Sequence, residues 1–133
     1  MAYRDLTNNL DVEESVRPQV ISGAAVNGEE VDMQGADSAL VAVSVGAIVG
    51  AAGNGSVSLE ESDVSGSGFA AVAASDIEGT EPSALTANSI SQFGYKGSKR
   101  YIRAVASRGA ETSVAVSVTI IRGHLHRAPT EVS

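Results

Sequence analysis

The chain has 133 residues, enough for one domain that buries roughly two-thirds of its unfolded surface. Its formal charge of −7, from 16 acidic against 9 basic residues, argues against general nucleic-acid binding, because the phosphate backbone is repelled overall. Cysteine is absent, which excludes disulfides and thiolate metal sites.

The apolar fraction is 43%, but aromatics make up only 4% and there is no Trp, so the core must be built mainly from Ala and Val. Such a core yields less transfer free energy per residue than one of Leu and Phe, and assembly with a partner is expected to supplement it. Residues 1–5 show no basic region leading into an apolar run, so no secretory signal is expected. The most apolar window, Ala39 to Ala52, is too short and too rich in small residues for the roughly 18 to 20 apolar residues of a membrane span. A soluble protein is expected.

In chain order, residues 1–15 are polar and acidic, with Leu6, Leu10 and Val12 as apolar anchors. They read as an extended arm with room for one short helix. Pro18 opens an extended segment, Gln19 to Ala25, and Asn27-Gly28 is a turn signal because both residues tolerate positive φ. Glu30 to Gln34 alternates, with Val31 and Met33 on one face. Ala39 to Val45 predicts a core strand with Leu40 and Ala42 on one face and Val41, Val43 and Val45 on the other. After a glycine-rich loop ending at Asn54-Gly55, Ser56 to Ser62 alternates cleanly, with Val57 and Leu59 apolar.

Phe69 to Ala74 predicts another strand, anchored by Phe69, and residues 76–88, with Pro82, read as a surface loop. Ile90 to Phe93, Arg100 to Ala106 and Thr112 to Ile121 complete the set, the last two joined as a hairpin through Arg108-Gly109-Ala110. In the final strand Val114, Val116, Val118 and Ile120 share a face, and the stretch from Arg122 to Ser133 reads as an irregular tail. The expected architecture is all-β: an antiparallel β-sandwich or barrel-like domain of about seven to eight strands over 16–121, with an arm at 1–15 and a tail at 122–133.

Charge is unevenly distributed. Residues 1–90 carry two basic side chains against fourteen acidic ones, whereas residues 91–133 carry seven against two. The segment Phe93-Gly94-Tyr95-Lys96-Gly97-Ser98-Lys99-Arg100-Tyr101-Ile102-Arg103 gathers positive charge and scarce aromatics together. It reads as a tight turn entering a strand, with Tyr101, Arg103 and Val105 on one face, Ile102, Ala104 and Ala106 on the other, and its charges paired with acidic neighbouring strands.

Candidates for chemistry are weak. Gly94 to Lys99 lacks the spacing of a phosphate-binding loop and precedes a strand, not a helix. Glu60-Glu61-Ser62-Asp63 offers carboxylates without the ligand ladder of a calcium loop. His124 and His126 share a side of an extended chain but have no third ligand nearby. No serine sits in a nucleophile elbow. The expectation is no enzyme, no metal and no cofactor.

Four stretches carry a resemblance: Val31-Asp32-Met33-Gln34-Gly35, Leu59-Glu60-Glu61-Ser62-Asp63, Ile77-Glu78-Gly79-Thr80 and, above all, Phe93 to Arg103. Together they resemble a family of small tailed-bacteriophage structural proteins encoded among the head-morphogenesis genes, beside the major capsid protein. The match runs in order from about residue 16 to Ala128. The resemblance implies a non-enzymatic virion component. The leading expectation is a capsid cement or decoration protein on the capsid exterior, present in the host cytoplasm during assembly, with the major capsid protein as partner and a homo-oligomer on the lattice. A head–tail completion or tail-terminator ring is the second expectation. A carbohydrate-binding host-attachment module is the third, and the scarcity of aromatics counts against it. Neither specific nucleic acid nor membrane is an expected partner. Candidate contact residues are Leu6, Leu10 and Val12 in the arm, with Tyr95, Lys96, Lys99, Arg100 and Arg103 in the basic segment.

Overall fold

A computed structural model describes residues 7, 9–50 and 53–125. Among these, strands β1 (Asp11–Ile21), β2 (Val26–Asn27), β3 (Val31–Asp32), β4 (Ala36–Val49) and β5 (Ser56–Ser62) precede β6 (Ala70–Ala71), β7 (Ile77–Glu78), β8 (Ser89–Tyr95), β9 (Tyr101–Ser107) and β10 (Ser113–Leu125). They form two antiparallel sheets. The first has the order β1-β10-β4-β8-β7, and the second β2-β9-β5-β6 with β3 also paired to β9. The all-β sandwich expected from the pattern is what the chain forms.

The strands alternate in composition because one side of each faces the space between the sheets. Val41, Val43 and Val45 of β4 meet Val114, Val116, Val118 and Ile120 of β10 on the inner face of the first sheet. Phe93 and Tyr95 of β8 extend that layer. From the second sheet come Val57 and Leu59 of β5 and Ile102, Ala104 and Ala106 of β9. All these side chains are buried in one cluster. Each fully buried Val, Leu or Ile adds roughly 1.5–3 kcal/mol relative to leaving it in water.

Two seams close the sandwich. On one side β1 carries register shifts after Glu14 and after Val16. Between them Ser15 Oγ donates to the Glu29 carbonyl (2.9 Å) and accepts from the Ala104 N–H of β9 (2.9 Å), while the Ser15 carbonyl accepts from Glu29 N–H (2.7 Å). Ser15 is thus a buried polar link between the sheets. On the other side the β7–β8 connection crosses to β5, where Glu81 Oε2 accepts from Leu59 N–H (2.7 Å) and the Pro82 carbonyl from Val57 N–H (3.1 Å). A Ser15→Ala variant leaves the buried Ala104 N–H unpaired, and a loss of about 1–3 kcal/mol is expected in urea unfolding. A loss under about 0.5 kcal/mol would show that water replaces the hydroxyl.

The structure changes several expectations. Pro18 does not open a strand: it lies inside β1, at the irregular part of an edge strand, where a missing N–H is tolerated. Asp11–Ser15, assigned to the arm, belong to β1, and β10 continues through Arg122 to Leu125. Arg122 is anchored there, donating to the carbonyls of Asp32 (3.0 Å) and Gln34 (3.3 Å) and pairing with Asp11. Gly28 serves close approach, not a positive φ. A Cβ at Gly28 would lie 2.7 Å from the Ser15 carbonyl oxygen and 2.8 Å from that of Ala104. The expected 76–88 loop contains β7, and the Phe69–Ala74 strand shrinks to Ala70–Ala71. Most consequentially, β9 and β10 are not a hairpin, because they lie in different sheets.

Candidate protein-interaction surface

The basic segment folds so that each of its four cations meets an acid of the same chain. Arg103 of β9 stands directly opposite Glu60 of β5 and donates to its Oε1 from Nε (2.9 Å) and Nη2 (2.7 Å). Its guanidinium also stacks 4.2 Å from the Phe69 ring centre. Arg100 forks onto both Asp32 oxygens (3.1 and 3.0 Å). The Arg100 hydrogen bond, chiefly, holds the Asp32 carboxyl below its ordinary range, and the same pair raises the Arg100 pKa. Lys99 donates to Asp63 Oδ2 (2.8 Å), which lowers the Asp63 pKa and raises that of Lys99. Lys96 lies 3.8 Å from Glu78. The exposed pairs of Arg100, Lys99 and Lys96 fix local geometry more than they stabilise the fold, while Arg103–Glu60 is half-buried. The Glu60–Asp63 run is consumed in the same way, since Glu61 accepts from the Tyr95 hydroxyl (2.8 Å). Among the described residues no group of three or more metal-ligating side chains gathers.

Tyr95 is not a contact residue. It is 1% exposed, on the inward side of β8 two residues after Phe93. Burial, and then the hydrogen bond to Glu61, push its phenol well above the usual range, so it stays a proton donor. The parity it shares with Phe93 was the signal for burial. Leu6 lies outside the described residues. Leu10 is half-buried beside Gly123, and Val12 is 62% exposed on β1. The structure therefore does not bring the candidates together: Val12 belongs to the first sheet, with Leu10 just before its first strand, while Lys99, Arg100 and Arg103 border the second.

A different surface emerges on the outside of the first sheet. Because Val41, Val43, Val116 and Val118 point inward, their neighbours Leu40, Ala42, Ala115, Ser117, Thr119 and Ile121 point out. Neither β8, nor β4 after Asp37, nor β10 before Arg122 carries a charged residue. The register sets Val12 beside Ile121, Val20 beside Ala115 and Ile90 beside Ser44. Val12, Val20 and Ile90 are 62%, 63% and 76% exposed, three of the most exposed large apolar side chains described. Two shallow depressions mark this face, one around Pro18, Gly46 and Ala115, the other around Leu10, Leu40 and Ile121. A chain with 19% charged residues thus presents a three-strand charge-free surface, edged by the apolar Val12, Val20 and Ile90 and, on β1, by the Glu14–Arg17 ion pair. Each segment is visibly uncharged in the sequence. Their adjacency is not visible, because the topology joins stretches more than twenty residues apart.

No protein-family model, curated protein or solved structure matches this chain.

Proposed function

We propose that this chain is a non-enzymatic structural protein of a tailed-bacteriophage virion, a decoration protein that binds the major capsid protein lattice from outside. The observation that carries the reading is the segregation of surface character. Ion pairs occupy the second sheet, the β8–β9 turn and the edges of the first sheet. The centre of the first sheet's outer face, on β8, β4 and β10, is left uncharged for contact with protein. This division suits a module that assembles by its surfaces. The likeness of Val31–Gly35, Leu59–Asp63 and Phe93–Arg103 to phage head proteins supplies the class of assembly. Many copies on a repeating lattice then hold by avidity what one small interface does not.

Quantitative mass spectrometry of purified particles tests the reading, with hundreds of copies per virion expected. A count of about six or twelve would transfer the protein to a ring at the portal vertex. The N-terminal segment is the proposed fastening to the capsid. Because β1 starts at Asp11 and Ser15 links the sheets, the informative truncation removes only residues 1–8. The truncated chain should melt as the full chain does and bind capsids at least about tenfold more weakly. Equal binding would remove the segment from the contact.

A further inference from the structure

We infer that the charge-free outer face of the first sheet pairs with the same face of a second copy, making a two-fold symmetric dimer. The inference rests on the protein-binding reading of that face and names its occupant.

Three observations select a second copy. The first is electrostatic. Every copy carries −7, so contact through most of the surface brings like charges together. This face, uncharged at its centre and edged on β1 by the mutually paired Glu14 and Arg17, is the approach that does so least. A partner of opposite charge would be steered by the acidic remainder of the molecule, and this face offers it nothing to steer by. The second is shape. Ala42, Ser44, Ala115 and Ser117 make the centre low, and Gly46 adds no side chain at all. The exposed Val12, Val20 and Ile90 stand at the rim. In a two-fold arrangement the rim of each copy overlies the low centre of the other, and both gain the same contacts. The third is area. The three uncharged strands together with the adjoining β1, at about 4.8 Å spacing and with about nine shared residues at about 3.4 Å, give roughly 600 Å² per copy. The total of roughly 1,200 Å² reaches the lower end of specific interfaces.

Sedimentation equilibrium of the full chain at about 10–100 μM tests this, read against Ser117→Glu, Ala42→Glu and, as a control on the outer side of the second sheet, Ser58→Glu. Wild type and S58E should run at about 27 kDa, twice the 13.5 kDa chain. S117E and A42E, which set like charges face to face at the centre, should weaken association at least about 100-fold while keeping the far-ultraviolet signature of the folded monomer. Raising salt from about 0.05 to 0.5 M should tighten the wild-type dimer, since the remaining repulsion is screened. A wild type that is monomeric throughout this range, or a dimer that persists in both S117E and A42E, overturns the inference. If one variant does not fold, the other and the salt series still decide. Copy number on virions is measured separately, so a monomer that decorates capsids would end the dimer and leave the decoration reading intact.

Discussion

Replacing Glu111 with glutamine should lower the melting temperature by roughly 5–10 °C near neutral pH, and the deficit should shrink as the solution is acidified. Glu111 is 1% exposed, and it is a charged side chain in a chain whose interior is otherwise nearly all apolar. Its Oε1 accepts from Gly109 N–H (2.7 Å) and its Oε2 from Gly55 N–H (3.1 Å). One carboxylate thereby ties the β4–β5 connection to the β9–β10 connection. Arg108 completes the clasp, donating to the Glu111 carbonyl (2.9 Å) and to that of Gly23 (3.2 Å). Glutamine keeps the shape but turns one acceptor into a donor, which then faces a buried N–H.

The pH dependence follows from the direction of the shift. Hydrogen bonds from its own amide first, then from Gly109 and Gly55, hold the Glu111 carboxyl below its ordinary 4.5. A carboxyl depressed in the folded state adds stability that is fully present above the unfolded value and is lost as pH falls through the folded one. Wild type should therefore lose this advantage below about pH 4, whereas E111Q has none to lose. Melting curves of both proteins at about pH 7, 5 and 3 check it, and a gap that stays constant would show that the charge is not its source.

Glu111 also explains what the sequence could and could not disclose. Alternation in β4, β5, β9 and β10 was readable because their inward residues are Val, Ile, Leu and Ala. The outward ones are polar or charged in β5 and much of β9, and smaller or uncharged polar in much of β4 and β10. Val41, Val43 and Val45, and likewise Val114 to Ile120 on alternate positions, share a face as expected, and that face proves to be the inner one. Ile102, Ala104 and Ala106 point inward as expected. A turn signal such as Arg108-Gly109 reports that the chain reverses, not which sheet it joins next. The side chain two residues on reaches back across fifty-six positions to Gly55, a long-range contact that no local turn signal reports. The two-residue strands β2, β3, β6 and β7 are too short to show any period, and their pairing depends on neighbours already in place. The pairing of the basic segment with acidic strands was legible from charge alone, and Glu60 opposite Arg103 is its clearest instance.

Tyr95 and Gly97 should show strong energetic coupling, because the Tyr95–Arg100 turn is wrapped on its own tyrosine. The Tyr95 hydroxyl donates to Glu61 and accepts from Lys99 N–H (3.2 Å), so the turn closes over the ring four residues on. A Cβ on Gly97 would lie 2.6 Å from the Tyr95 oxygen and 2.7 Å from two ring carbons. The ring is buried and cannot retreat, so Gly97→Ala should cost about 2–3 kcal/mol through overpacking. Tyr95→Phe should cost about 1–2 kcal/mol, since Lys99 N–H and Glu61 each lose a partner while the ring carbons still meet an added Cβ. Tyr95→Leu removes the ring and should cost about 2–4 kcal/mol through the cavity it leaves. In that background Gly97→Ala has space, and its further cost should fall below about 0.5 kcal/mol. Urea unfolding of the single and double variants measures the cycle. Costs for G97A that are equal in the tyrosine and leucine backgrounds would show that glycine is needed there for the backbone and not for the ring, and the turn would lose its explanation.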